Sequence, residues 1–413
     1  GEHGEITNAY RMNNSLFIHT KEALWHLPQN NQERITDGVV SYIGTGEFFS
    51  IPPVKVIDGD LGYGGCSDKW GTQQTSGGVV FVSAIDRKIY LHSDGISDIS
   101  SRGMSNDFKN NLVSFLEEQL YESKGEKFLL LNNPANPSGV GYLSVFDTRY
   151  DRVIITKKDY RIVDRFVDEL TVVTEVFPNL GFTYNKTNGK FYIGDTHVLL
   201  TNSVYFENKS FTVSFSLHTG TWVSYHSYLP DYYIHGHNHF YATTYLNNSL
   251  WRFNSHTMFK NFFGTSVSYI VERVHAPNPM VETTFEDLSV HTEAKIWNNV
   301  TKNYMNANLI TFDSMIAYNT KQSTGRKILI VKESQSFEEW IQNQTADIIT
   351  HIIIEKDGNY WRINDFRDQV VDHDLPIFTS EWNQILGIYP IDKVPNYVAI
   401  SFLKDWWELE MLR

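Results

Sequence analysis

The chain has 413 residues, 41% apolar, 20% charged and 14% aromatic, with a formal net charge of −13 and a single cysteine. That content supports a folded core in one large β-domain or two to three ordinary ones, and the charge argues against a surface that grips nucleic acid or an anionic membrane, though not against a wall past which DNA slides. One cysteine, Cys66, excludes an internal disulfide and a multi-thiolate zinc site, and no apolar run of about 18 residues exists to span a bilayer as a helix.

Residues 1–60 read as an N-terminal segment; no signal-peptide pattern opens them. The chain starts at Gly1 and stops at Arg413 within an apolar pattern, as a piece of a longer protein would. Then a recurring design sets in, an apolar strand, a short polar or Gly-containing turn and a second strand. It first appears at 79–92 ("VVFVSAIDRKIYLH"). An amphipathic helix is expected over 105–121, with Phe108, Leu112, Phe115, Leu116 and Leu120 on one stripe and Ser105 or Asn106 as its cap. The hairpin pattern returns at 142–158, and 162–208, rich in turns such as "NKTNGK", reads as an insertion. Further hairpins are expected at 211–227, 240–254, 314–331 and 352–363, and another joins 268–274 to 280–292 across "HAPNP". A capping box, Ser336 to Glu339, opens a second helix over 336–344. Hairpins that cannot bury both faces alone must pack together, so the expected fold is mainly β, an irregular β-propeller-like platform with one main helix and inserted segments. First blades would fill 61–161 and the remaining blades 209–413, with a β-sandwich pair as the alternative. Six N-x-S/T sequons, at Asn13, Asn185, Asn208, Asn247, Asn299 and Asn343, fit chance in an Asn-rich chain better than glycosylation.

The sharpest candidate site is "YYIHGHNHFYA", 232–242. On a regular strand His235, His237 and His239 would point one way and present three imidazoles to a metal, with Asp231 as a supporting acceptor. Gly236 and Asn238 are poor strand residues, and the competing reading is a polar strand edge facing solvent or another subunit. "GHNH" with the upstream "GDTH" (Asp195, His197) also matches the ends of a metallophosphoesterase pattern. The carboxylate, Asn and His ligands that family needs between those ends are missing, so the reading fails. Cys66 in "YGGCSDKWG" precedes a turn and a strand rather than a helix, so it is read as a loop residue and not a nucleophile. Asp372 and Asp374 read as a solvated pair. "SLHTGTW", 216–222, resembles the Asp-box turn of sialidase-type propellers with His218 in place of the aspartate, a structural turn rather than a catalytic one.

Three stretches taken in order carry a family resemblance. They are "GGCSDKWGTQQTSGGVVFVSAIDRKIYLHSDGISDISSRGM", "SVFDTRYDRVIITKKDY" and "FTVSFSLHTGTWVSYHSYLPDYYIHGHNHFYA". Their succession, over roughly residues 60 to 290, resembles the tail nozzle or muzzle proteins, also called tail stabilisation proteins, of short-tailed, crAss-like bacteriophages. The resemblance implies a ring of six copies around the DNA exit channel of a virion tail, with no enzymatic activity, no cofactor and no metal on His235, His237 or His239. The implied partners are copies of the chain itself, other tail and portal-side ring proteins, and genomic DNA crossing the lumen without sequence-specific binding; no membrane partner is implied. An end at Arg413 would suit proteolytic cleavage. The alternative function is a carbohydrate-binding or glycan-cleaving propeller, its aromatic residues stacking on sugars.

Overall fold

The computed structural model describes residues 3–12, 15–27, 32–36, 39–42, 52–59, 62–125, 131–136, 139–245, 247–254, 261–275, 283–284, 287–298, 300–319, 322–332, 351–364, 379–380, 398–404 and 409–411. The protein is mainly β, built from many small antiparallel sheets with three helices among the described residues, and divides into two compact units, 1–255 and 256–413.

In the first unit, β1 (Ile6–Met12), β2 (Ser15–Thr20) and β3 (Leu24–Leu27) form an antiparallel meander. Next, β4 (Gln32–Thr36) and β5 (Val39–Tyr42) pair with each other, and β6 (Val54–Lys55) returns to the free edge of β3. A second meander follows: β7 (Thr72–Thr75), β8 (Gly78–Ser83), β9 (Lys88–His92) and β10 (Ile96–Asp98). β8 buries both faces: Val80 and Val82 on one side, Phe81 on the other, as the period-two alternation of a strand dictates.

The expected helix at 105–121 is two helices, α1 (Ser105–Asn111) and α2 (Phe115–Lys124). Neither Ser105 nor Asn106 caps α1, whose N-cap position falls on Met104 without a side-chain bond. Ser114 caps α2 instead, its hydroxyl accepting the Glu117 amide, and Gly125 closes it in the left-handed conformation (φ 70°). The stripe is therefore split. Phe108 and Leu112 are fully buried in one core with Tyr142, Val153 and Phe215, while Leu116 and Leu120 enter another with Tyr160, Phe182 and Phe206.

The central sheet runs β11 (Leu131–Asn132), β12 (Gly139–Asp147), β13 (Arg152–Lys158), β20 (Phe211–Ser216), β21 (Thr221–His226). Between β13 and β20 the chain leaves through β14 (Tyr160–Ile162) and α3 (Asp164–Val167), and builds a separate sheet from β15 (Thr171–Val173), β16 (Phe182–Asn185), β17 (Lys190–Ile193) and β18 (Thr196–Val198). It then returns along β19 (Phe206–Asn208), which pairs with β14. The sequon residue Asn185 is buried here, its side-chain oxygen accepting the Thr187 and Asn188 amides of a turn. The unit closes with the three-stranded sheet β22 (Tyr232–His235), β23 (Phe240–Thr244), β24 (Asn247–Arg252).

The second unit opens with a short hairpin, β25 (Asn261–Phe262) and β26 (Thr265–Ser266). It continues through β27 (Tyr269–His275), β28 (Thr283–Thr284), β29 (Leu288–His291), β30 (Ala294–Asn298), β31 (Asn303–Asn306), β32 (Ser314–Tyr318) and β33 (Lys327–Val331). β34 (His351–Asp357), β35 (Tyr360–Ile363), β36 (Thr379–Ser380), β37 (Val398–Lys404) and β38 (Leu409–Met411) complete it. Its main sheet has the order β27-β37-β32-β33-β34-β35-β29. The hairpin expected between 268–274 and 280–292 is thus not formed. β27 pairs with β37 and β29 with β35, because long-range partners displace the local one. β32 and β33 share only a two-residue ladder, and β32 finds its longer partner in β37. The helix expected at 336–344, with Ser336 and Glu339, lies outside the described residues, as do Asp372 and Asp374.

Candidate functional site

β22 ends at His235, and Gly236 to His239 form the turn into β23, closed by the pair His235↔Phe240. The three histidines therefore do not share a strand face: the alternation ends at Gly236, one of the two residues whose poor fit to a strand spoke against it. Gly236 permits the bend: a Cβ there would lie 2.4 Å from the His239 carbonyl oxygen. The His235 ring stacks parallel to Phe146 at 6.4 Å, and the Thr148 hydroxyl donates to the His237 carbonyl at 2.9 Å. These contacts seat the turn on the β12–β13 connection. His235 and His237 are exposed and His239 is half-buried. Asp231 does not support the histidines; its carboxylate is taken by the Lys158 ammonium and the Tyr245 amide. Asp195 and His197 lie at the β17–β18 turn of another sheet, where burial lowers the His197 imidazole and its ring sits 5.6 Å from Tyr192. Among the described residues no group of three or more His, Cys, Asp or Glu is placed to hold a metal ion.

At the far end of β13 from this turn lies a feature the sequence did not announce. Central strand β13 buries both of its consecutive lysines, which point to opposite faces of the sheet. Lys158 pairs with Asp231 on the β22–β24 side and donates to the Pro134 carbonyl at 2.8 Å. Lys157 pairs with Asp159 at 2.7 Å, their side chains only 2% and 1% exposed. Its ammonium also donates to the carbonyls of Asn111 (2.7 Å) and Val113, at the end of α1. Asp159 accepts the Phe115 amide, at the start of α2, at 2.7 Å. The pair thus neutralises a helix C-terminus with a cation and a helix N-terminus with an anion, matching both dipoles at the break between α1 and α2. Burial lowers the Lys157 ammonium, opposed by the Asp159 charge. The sequence did hold one sign of the break, the box Ser114 to Glu117.

Nearer the turn Asp147 fastens loops rather than helices, accepting Arg152 at 2.9 Å and the Asn254 side-chain amide at 2.9 Å. Deeper in, burial raises the Asp68 carboxyl to about 7 against hydrogen bonds from the Tyr142 amide and the Ser67 hydroxyl. Cys66 is fully buried; burial first, then the Asp68 charge, raise its thiol to about 12, so it is no thiolate nucleophile. In the Asp-box-like stretch, Ser216 accepts the Thr219 amide and Gly220 takes φ 65°, while His218 is exposed in the turn. Trp222 packs at 4.8 Å from Phe108 and donates to the Ile99 carbonyl at 3.0 Å, so it anchors α1 to the sheet.

The chemistry available here is that of fastening: these buried charges are spent on one another and on backbone dipoles, and the thiol is protonated. No described helix is long and apolar enough to cross a membrane. The chain matches no protein-family model and no curated protein.

Proposed function

We propose that the chain is a structural component of a bacteriophage virion tail, forming the ring-shaped nozzle through which DNA leaves during ejection. The observation that carries this reading is the convergence of the three resembling stretches on one core. Val80 and Val82 from the first, Val153 and Ile155 from the second, and Val213 and Phe215 from the third pack together around Phe108 and Leu112. Segments far apart in sequence that share one core form a single platform, as the family resemblance would require. The small antiparallel sheets would serve as irregular propeller-like blades, six copies would close the ring with other tail and portal-side rings as neighbours, and no catalysis would be required. A net charge of −13 suits a lumen that does not hold phosphates.

Electron-microscopy class averages of the particle formed with its native neighbours test the proposal. Six-fold rings with an open pore are expected; isolated, poreless particles would overturn it and move weight to a glycan-binding protein.

A further inference from the structure

The joint between the first two sheets is built from histidine rings with no acidic partners. β2 turns Phe17 and His19 inward, and His19 is fully buried with its ring 4.5 Å from Phe81 of β8 and 5.5 Å from Tyr10 of β1. Neither of its ring nitrogens makes a well-formed hydrogen bond, although the Gly64 backbone lies near enough to favour a proton there. Phe17 lies 4.5 Å from His92 of β9 and 5.0 Å from His26 of β3. His92 is buried, and its Nδ1 meets the Tyr10 hydroxyl at 2.7 Å.

The charged and titratable groups around the joint are committed elsewhere or carry the wrong sign. On the β8–β9 turn, Asp86 accepts the Gly64 amide at 2.9 Å and the Tyr90 hydroxyl at 3.1 Å. Across the open cleft at the edge of the joint, Lys88 and Asp98 pair at 3.1 Å, with Asp94 on its rim. On β6, the Lys55 ammonium sits over the Tyr63 ring at 4.4 Å. In the strap before β7, Asp68 accepts the Tyr142 amide and Cys66 is a neutral thiol. A proton arriving on His19 would therefore be a buried cation among aromatic rings, with His92 as its nearest partner in charge.

We propose that this joint is an acid-released latch, in which protonation of His19 and His92 undocks the β1–β3 sheet from the β7–β10 sheet while the central sheet stays folded. The inference is independent of the tail reading. Burial, opposed by the Gly64 backbone, lowers the His19 imidazole from 6.5 to about 3, and burial followed by the His26 charge lowers His92 in the same direction. A base whose closed-state value is depressed stabilises docking above the open-state value, near 6.5, and that stability drains as the pH falls toward 3. For His19 alone, going from pH 7.5 to 5 multiplies the opening constant about 30-fold, and His92 adds to it.

Amide exchange by mass spectrometry on the full chain, corrected for the intrinsic pH dependence of exchange, reads the opening directly. Peptides from β1–β3 should lose protection by about 30-fold or more at pH 5, while peptides from β16 and β17 hold theirs. His19→Phe keeps a ring in the apolar slot and removes the proton site, so most of the acid effect should vanish. If its β1–β3 peptides are already open at pH 7.5, His19→Met replaces it under the same criterion. Unchanged protection of the unsubstituted chain at pH 5, or an equal loss in the folded variant, would overturn the latch.

Discussion

Replacing Lys157 by Met leaves the Asp159 carboxylate buried without its cation. In the folded protein that carboxylate keeps the amides of Phe115 (2.7 Å) and Tyr160 (2.9 Å), so some solvation survives the loss. The Asn111 and Val113 carbonyls lose their donor at the same time. Breaking a buried pair from one side costs about 3–5 kcal/mol, and this pair, with side chains 2% and 1% exposed, belongs to that class rather than to surface bridges worth under about 1 kcal/mol. Because the chain has two compact units, a whole-chain melting curve would blur the effect. Amide exchange of peptides spanning 105–124 isolates it, and opening there should become more frequent by roughly two to nearly four orders of magnitude. The double substitution Lys157→Met with Asp159→Asn should cost less than Lys157→Met alone, since no uncompensated charge remains. A single-variant cost below about 1 kcal/mol, or strictly additive costs in the double variant, would refute the role given to the pair.

Asp68→Asn should remove the acid-favoured contribution to the stability of unit 1, which is separate from and opposite in sign to that of His19 and His92. A carboxyl raised from 3.8 to about 7 stabilises the fold fully below 3.8 and loses that contribution as the pH rises through 7, so the variant should gain up to about 4 kcal/mol on the unsubstituted chain at pH 8, read by amide exchange of β8 and β12 peptides across pH 4–8. Phe108→Ala, at the core shared by α1 and the central sheet, should cost about 3–5 kcal/mol and shift Trp222 fluorescence, its ring neighbour at 4.8 Å. Gly236→Ala sets a methyl carbon 2.4 Å from the His239 oxygen and should cost about 1–3 kcal/mol, seen as faster exchange in 232–244 with β16–β17 unchanged.

How much of this was legible in the sequence depends on distance along the chain. The hairpins at 79–92, 142–158, 211–227 and 352–363 are present as strand pairs because their turns lie between adjacent partners. Arg87, Asp151, Gly220 and Gly358 take the positive φ values those turns need. The helical stripe was legible as apolar spacing but not as one helix: periodicity runs unbroken through Leu112 and Leu116, while the break is made by Lys157 and Asp159 more than 40 residues downstream. The histidine stretch was partly legible: Gly236 and Asn238 already spoke against a continuous strand there, and the turn begins at Gly236.

By itself, then, the sequence determined the strand-rich class, the near hairpins, the absence of an internal disulfide and the lack of a complete catalytic motif, since alternation, turn chemistry and residue counts are local properties. Only the tertiary structure decided that β27 joins β37 rather than the strand across "HAPNP", and that the lysines of "KKD", at the end of β13, belong to two buried ion pairs. The physical reason is the same in each case: a strand edge or a charge takes the partner that best satisfies its hydrogen bonds once water is gone, and that partner is set by packing, not by proximity in the chain.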